Sequence, residues 1–191
     1  MNISIIGEGN AGQALARGLS SAGYSVSTTG NDPVRVKELA VSGAVIILAV
    51  PFGTLDEVAT TIGPAADGKP VVDASNALSP EFTLALGYTT SGAEELQKKL
   101  PGAKVVKAFN TVFAGTMDKG QVKGERLTTF VAADDAQAKA TVQELARGTG
   151  YDAVDAGPLA NARLLEPLGF LNIQLGYVLG LGPDIGLKLV R

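Results

Sequence analysis

The chain contains no cysteine, no histidine and no tryptophan. Without cysteine there are no disulfides and no thiolate chemistry, which fits a reducing compartment. Without histidine, Ser-His-Asp and Cys-His catalysis by this chain alone, histidine-ligated metals and a histidine general base are all excluded. An excess of charge is missing too: 16 basic residues stand against 19 acidic ones, mixed along the chain, for a formal net charge of -3. No polybasic surface is formed, so nucleic acid is not expected as a partner. One long apolar stretch runs from Leu164 to Leu181, but Glu166, Pro167, Asn172 and Gln174 interrupt it. It makes a poor membrane span and a better buried or interface helix. The N-terminal apolar run stops at a glycine loop within a few residues, so no signal peptide is expected and the protein reads as cytoplasmic.

What is present is a chain of 191 residues, 46% of them hydrophobic. That suits one domain with a sizeable core and a small C-terminal addition. Strand-like and helix-like segments alternate. Ile3–Ile6, Ser25–Thr29, Val45–Val50, Val71–Asp73, Lys104–Ala108, Thr128–Ala132 and Tyr151–Asp155 read as strands. Gln13–Ala22, Val34–Ser42, Thr54–Ile62, Ser91–Leu100 and Asp135–Arg147 read as helices. The run VIILAV (Val45–Val50) is continuously apolar, as a parallel strand covered on both faces should be. The order predicts an α/β fold: a Rossmann-like, doubly wound parallel sheet over residues 1–156. Residues 157–191 read as a C-terminal helix, from about Asn161 to Leu179, followed by a glycine-rich tail. Right-handed crossovers would gather the loops GEGNAG, TTGND, AVPFG, DASNAL and KAFNTVF on one edge of the sheet.

Between the first strand and the first helix lies Gly7-Glu8-Gly9-Asn10-Ala11-Gly12, a G-x-G-x-x-G sequence. In a dinucleotide site the first glycine makes the turn, the second admits the pyrophosphate and the third lets helix and strand pack closely. The helix behind it directs its positive end and free N–H groups at the phosphates. The alternative is a tight structural turn with no ligand. NAD-selective sites place a carboxylate at the end of the second strand, where this chain has Thr29-Gly30-Asn31 and no acid before Asp32. That absence favours NADP. Thr29, Gly30 and Asn31 could donate hydrogen bonds to a 2′-phosphate and Arg35 could add charge, or the same residues merely form the turn before Pro33.

With these motifs the chain resembles the NADP-dependent coenzyme F420 oxidoreductases, whose nucleotide domain is also similar to that of the STEAP ferric reductases. The matching stretches are GEGNAG, AVP (Ala49–Pro51), VVDASNAL (Val71–Leu78), VVKAFNTV (Val105–Val112), DAGPLANARLLEPLGFLNIQL (Asp155–Leu175) and GPDIGLKLV (Gly182–Val190). The resemblance implies hydride transfer between NADP(H) and a flavin or deazaflavin, with FMN, FAD or coenzyme F420 as acceptor. It implies pyrophosphate on Gly9, Asn10, Ala11 and Gly12, and the 2′-phosphate on Thr29, Gly30 and Asn31. It sets the nicotinamide near Val50, Pro51, Asn76, Ala108, Phe109 and Asn110. The deazaflavin branch commonly carries histidine where this chain has Asn110, and basic residues where it has Asn31 and Asp32.

Two other readings stay open: a non-catalytic dinucleotide-binding or sensing module, and a reductase of a small carbonyl or imine. The second would need a proton donor, and Lys107 or one of Tyr24, Tyr88, Tyr151 and Tyr177 would have to serve. Of these only Lys107 falls near the expected active edge, inside a strand, where an edge or solvent-facing lysine is the plainer expectation. Transfer between two redox rings leaves the reactivity to the cofactors and asks the protein for stacking and orientation. Arg163 and Glu166, three apart on one helix, read as either a local ion pair or cap, or as shaping the C-terminal element. The leucines 164, 165, 168, 171, 175 and 179 exceed what one small sheet can bury, so a homodimer through this helix is expected.

Overall fold

The computed structural model describes residues 1–191. Its order begins with β1 (Asn2–Ile6), α1 (Asn10–Ser21), β2 (Ser25–Thr29), α2 (Pro33–Ser42), β3 (Val45–Leu48) and α3 (Leu55–Ile62). It continues with β4 (Pro70–Asp73), α4 (Gly92–Lys99), β5 (Lys104–Lys107) and α5 (Ala114–Met117). A two-residue hairpin, β6 (Gln121–Val122) and β7 (Glu125–Arg126), precedes β8 (Thr128–Ala133), α6 (Ala136–Gly148) and β9 (Asp152–Asp155). The chain closes with α7 (Ala162–Ile173), a π-helical turn (Gln174–Val178) and an irregular tail.

Seven strands form one sheet in the order β2-β1-β3-β4-β5-β8-β9. The first five are parallel, joined by crossover helices. The Rossmann-like, doubly wound sheet expected from the sequence is present, with one antiparallel pairing in it. β5 pairs with β8 antiparallel, and β9 then follows β8 in parallel. The connection from β5 to β8 holds only α5 and the small hairpin. With no crossover helix to carry the chain back across the sheet, it returns in the opposite direction. The five chemistry-bearing loops all follow β1–β5 and so still share one edge.

Alternate residues of each strand pack on opposite faces. Ile3, Ile5, Val45, Ile47, Val72 and Val106 join a core with α1 and α6. Ile46, Leu48, Val71 and Val105 join the other with α2, α3 and α4. Each such side chain, fully buried, contributes about 1.5–3 kcal/mol. Ser4, on the second face, answers its burial by donating to the Leu39 carbonyl at 2.7 Å. The tail is tied to the far side of the sheet: the Thr128 N–H donates to the Leu187 carbonyl at 2.8 Å and the Leu189 N–H to Thr128 Oγ1 at 2.9 Å.

Candidate functional site

The glycine turn is built by exclusion. A Cβ on Gly7 would run into the Ala49 carbonyl, and one on Gly12 into the carbonyl of Gly7. Gly7 also has φ +121°, which side chains rarely adopt. Its N–H donates to the Thr29 carbonyl at 2.8 Å, tying the loop after β1 to the end of β2. Gly9 is different: nothing lies within 4 Å of where its Cβ would stand. Gly9 is the N-cap of α1, with no side-chain cap bond and no acid in the first turn. By contrast Asp32, Ser91 and Asp135 cap α2, α4 and α6 through their side chains. The head of α1 is thus left with free N–H groups and a positive dipole facing open space.

Two cavities flank this turn. The larger, about 320 Å³, lies between the loops after β1, β2 and β3, and Gly7, Gly9, Gly30, Asn31, Val50 and Pro51 line it. This is the β1/β3 switch point of a 2-1-3-4-5 order, where ligands of open α/β sheets bind. The smaller, about 240 Å³, lies beyond Ala11, between the loops after β4 and β5 and helix α7. Asn76, Asn110, Thr111, Phe113, Gly169 and Tyr177 are among its walls.

In the smaller cavity two asparagines lock each other. Asn76 Nδ2 donates to the Asn110 carbonyl at 2.9 Å, and Asn110 Nδ2 donates to Asn76 Oδ1 at 2.9 Å and to the Leu165 carbonyl at 2.7 Å. These bonds fix which end of the Asn110 amide is which. Asn110 Oδ1 is left buried without a donor, as is Thr111 Oγ1. Such atoms call for a ligand or water that donates. Phe113 and Tyr177 meet edge to face, with centroids 5.1 Å apart.

Not every residue in the expected set faces a cavity. Phe109 points into the core against Tyr151, its centroid 5.9 Å from that ring, and Ala108 is fully buried. Phe109 nonetheless has φ +64°, a left-handed bend that aims the following Asn110 at the site. Thr29 is buried and contributes its carbonyl to Gly7, while Gly12 is packing. Asn10, exposed, opens α1.

Lys107 overturns its expectation as an edge or solvent-facing residue. It is fully buried, and the β4–β5 register sets it beside Asp73. Its Nζ reaches Asp73 Oδ2 at 2.8 Å, the Ser75 carbonyl at 2.6 Å and Glu166 Oε1 at 2.8 Å. Burial pulls the ammonium pKa down, but the two carboxylates outweigh it and hold the group above its ordinary value. A cation so enclosed is no proton donor to a substrate. Tyr151 is excluded likewise: burial drives its hydroxyl pKa upward and it donates to the Met117 carbonyl at 3.0 Å. Tyr177, a candidate that the sequence sets away from the active edge because its helix follows the last strand, is the tyrosine at the cavity wall.

The Arg163–Glu166 pair does not form either. Glu166 turns inward to Lys107 and accepts the Gly92 and Ala93 N–H groups at 3.0 and 3.3 Å, capping α4. Arg163 instead grips Glu94 in two hydrogen bonds of 2.8 and 2.6 Å. That guanidinium, foremost, lowers the Glu94 pKa. Both contacts fasten α7 to α4 and hence to the loops after β4 and β5.

The family model for NADP oxidoreductases, coenzyme F420-dependent, matches residues 2–43, which hold β1, the glycine turn, α1, β2 and α2. Over its full length the chain superposes on a protein from Arthrobacter sp. FB24 assigned as an F420-dependent NADP-reductase, with a TM-score of 0.90 and 28% identity, covering 100% of both chains. In residues 2–43 and in its fold the chain is similar to the coenzyme F420-dependent NADP oxidoreductases. It is also similar in sequence to metalloreductase STEAP3 of Rattus norvegicus, with 32% identity over 178 residues, 87% of this chain. It spans only 36% of the length of that metalloreductase. A hypothetical protein from Sinorhizobium meliloti shares the fold at a TM-score of 0.75 and 27% identity, over 100% of this chain and 96% of the other. No helix is long and apolar enough to cross a membrane.

Proposed function

We propose that the protein binds NADP(H) across the glycine turn and exchanges hydride with a flavin or deazaflavin, FMN, FAD or coenzyme F420. The observation that carries this reading is the pair of cavities meeting at the bare head of α1. A diphosphate on Gly9, Asn10 and Ala11 takes the free amides there. The adenosine half then enters the larger cavity beside Gly30 and Asn31, and the nicotinamide half enters the smaller one beside Asn76 and Asn110. Bound there, the dinucleotide supplies the hydride. The protein's residues orient the ring, and the Asn110 Oδ1 acceptor suits its carboxamide N–H.

The family's name and the absence of histidine favour a ring acceptor over a carbonyl, whose reduction needs a proton donor as well. One observation keeps the small carbonyl or imine substrate as a second reading. Lys107 is sealed away, but Tyr177 stands at the wall of the nicotinamide-side cavity. NADPH oxidation, followed by near-ultraviolet absorbance with FMN, FAD, coenzyme F420, ferric chelates and small cyclic imines in parallel, separates the two. Turnover with flavin or deazaflavin supports the first reading. Turnover with imines alone replaces it with the second. Binding without any turnover makes the protein a dinucleotide sensor.

A further inference from the structure

The sequence places no carboxylate at the end of β2, but the fold brings one there. Glu8 occupies the second position of the glycine turn and leans across it. Its Oε1 accepts from Thr28 Oγ1 at 3.3 Å, and its Oε2 lies 3.5 Å from where a Cβ on Gly30 would stand. Gly30 and Asn31 line the larger cavity, which on the reading above takes the adenosine half. The one charged side chain among the residues lining that cavity is also a carboxylate, Glu57 of α3. No lysine or arginine lines it, and the Arg35 guanidinium is paired with Glu38. The head of α2 offers no spare positive end, because Asp32 Oδ1 already accepts the Val34 and Arg35 N–H groups at 2.9 and 3.4 Å.

A ribose 2′-hydroxyl donates a hydrogen bond and suits a carboxylate, whereas a 2′-phosphate carries added negative charge and calls for a cation. We propose that Glu8 is a specificity residue: its carboxylate accepts the ribose 2′-hydroxyl, so that the site takes NAD(H) alongside NADP(H). The inference rests on the dinucleotide site proposed above and narrows its choice of nucleotide. It makes the loop after β1 do what a strand-end acid does in an NAD-selective fold. Glu8 is exposed and makes no core contact, so its replacement leaves the fold standing.

Titration calorimetry of wild type and Glu8→Gln with NAD⁺ and NADP⁺ tests this, with matched melting temperatures as the check on folding. Wild type is expected to bind the two dinucleotides within about tenfold of each other. Glu8→Gln is expected to weaken NAD⁺, tighten NADP⁺ and move their ratio by roughly tenfold or more. A ratio unmoved by the substitution overturns the role of Glu8, as does a wild type that binds NADP⁺ more than about a hundredfold tighter. Either result leaves the cavity assignment intact. If neither dinucleotide binds to wild type, the cradle at α1 fails and this inference falls with it.

Discussion

Gly9 has room where Gly7 and Gly12 have none, and this sorts three similar residues by what their replacement does. Gly9→Val adds a side chain to open space and leaves packing untouched, but it occupies the approach to the α1 amides. We expect an unchanged melting temperature and dinucleotide affinity lowered by about tenfold or more in calorimetry. Unchanged affinity would remove the phosphate from this turn. Lys107 shows the opposite dependence. Lys107→Met leaves Asp73 and Glu166 buried together without their cation, and removing one member of such a set costs about 3–5 kcal/mol in denaturant unfolding. Since the folded-state pKa of Lys107 lies above its ordinary 10.5, its contribution is whole below that pH and declines as pH rises through the folded value. Wild-type stability should therefore lose this component above about pH 10.5, while the methionine variant lacks it throughout. A wild type and variant with parallel pH profiles would argue against the assignment.

Among the elements, α7 sets the floor of the smaller cavity, and Gly169 stands close against the asparagine pair there. A Cβ there would lie 2.6 Å from Asn76 Oδ1 and 2.7 Å from the Asn110 carbonyl. Gly169→Ala must push α7 off the asparagine pair, an overpacking that costs roughly 1–3 kcal/mol. A melting temperature lowered by several degrees and a weakened nicotinamide contact are expected; a variant with wild-type stability and affinity would show that α7 does not shape this cavity. The elements also divide by how readable they were. β1, the glycine turn and α1 were legible because their signal is local: a hydrophobic run, glycines at fixed spacing, an amphipathic helix. The reversal at β8 was not, because a strand's direction depends on its connection, and Ala108–Leu127 carries no periodic pattern. Lys107 and Glu166 misled for a related reason. Each is a single charge in an apolar segment, and their partners lie 32 residues or more away in the chain. Glu8 stands at an unspecified position of the motif and carries no role in the sequence, since nothing local says that its carboxylate reaches the end of β2.

At the scale of the whole molecule, one face remains uncovered. Leu164 and Leu171 of α7 are more than half exposed, as are Tyr177, Val178, Leu179 and Leu181 beyond it. A second copy of the chain meeting this face would cover it and close the outer side of the cavity at Tyr177. Light scattering at micromolar concentration is expected to report a dimer, and Leu171→Asp with Leu179→Asp a monomer. A wild-type monomer would leave this surface for another partner. With a dinucleotide at the head of α1, as proposed, heat resistance would depend on its supply. Saturating dinucleotide, at a hundred times its dissociation constant, adds about 2.7 kcal/mol to the folded state by mass action. For a chain of this length that raises the melting midpoint by roughly 5–10 °C. In a cell short of that dinucleotide the same protein would unfold and be degraded more readily, so its abundance would follow dinucleotide supply.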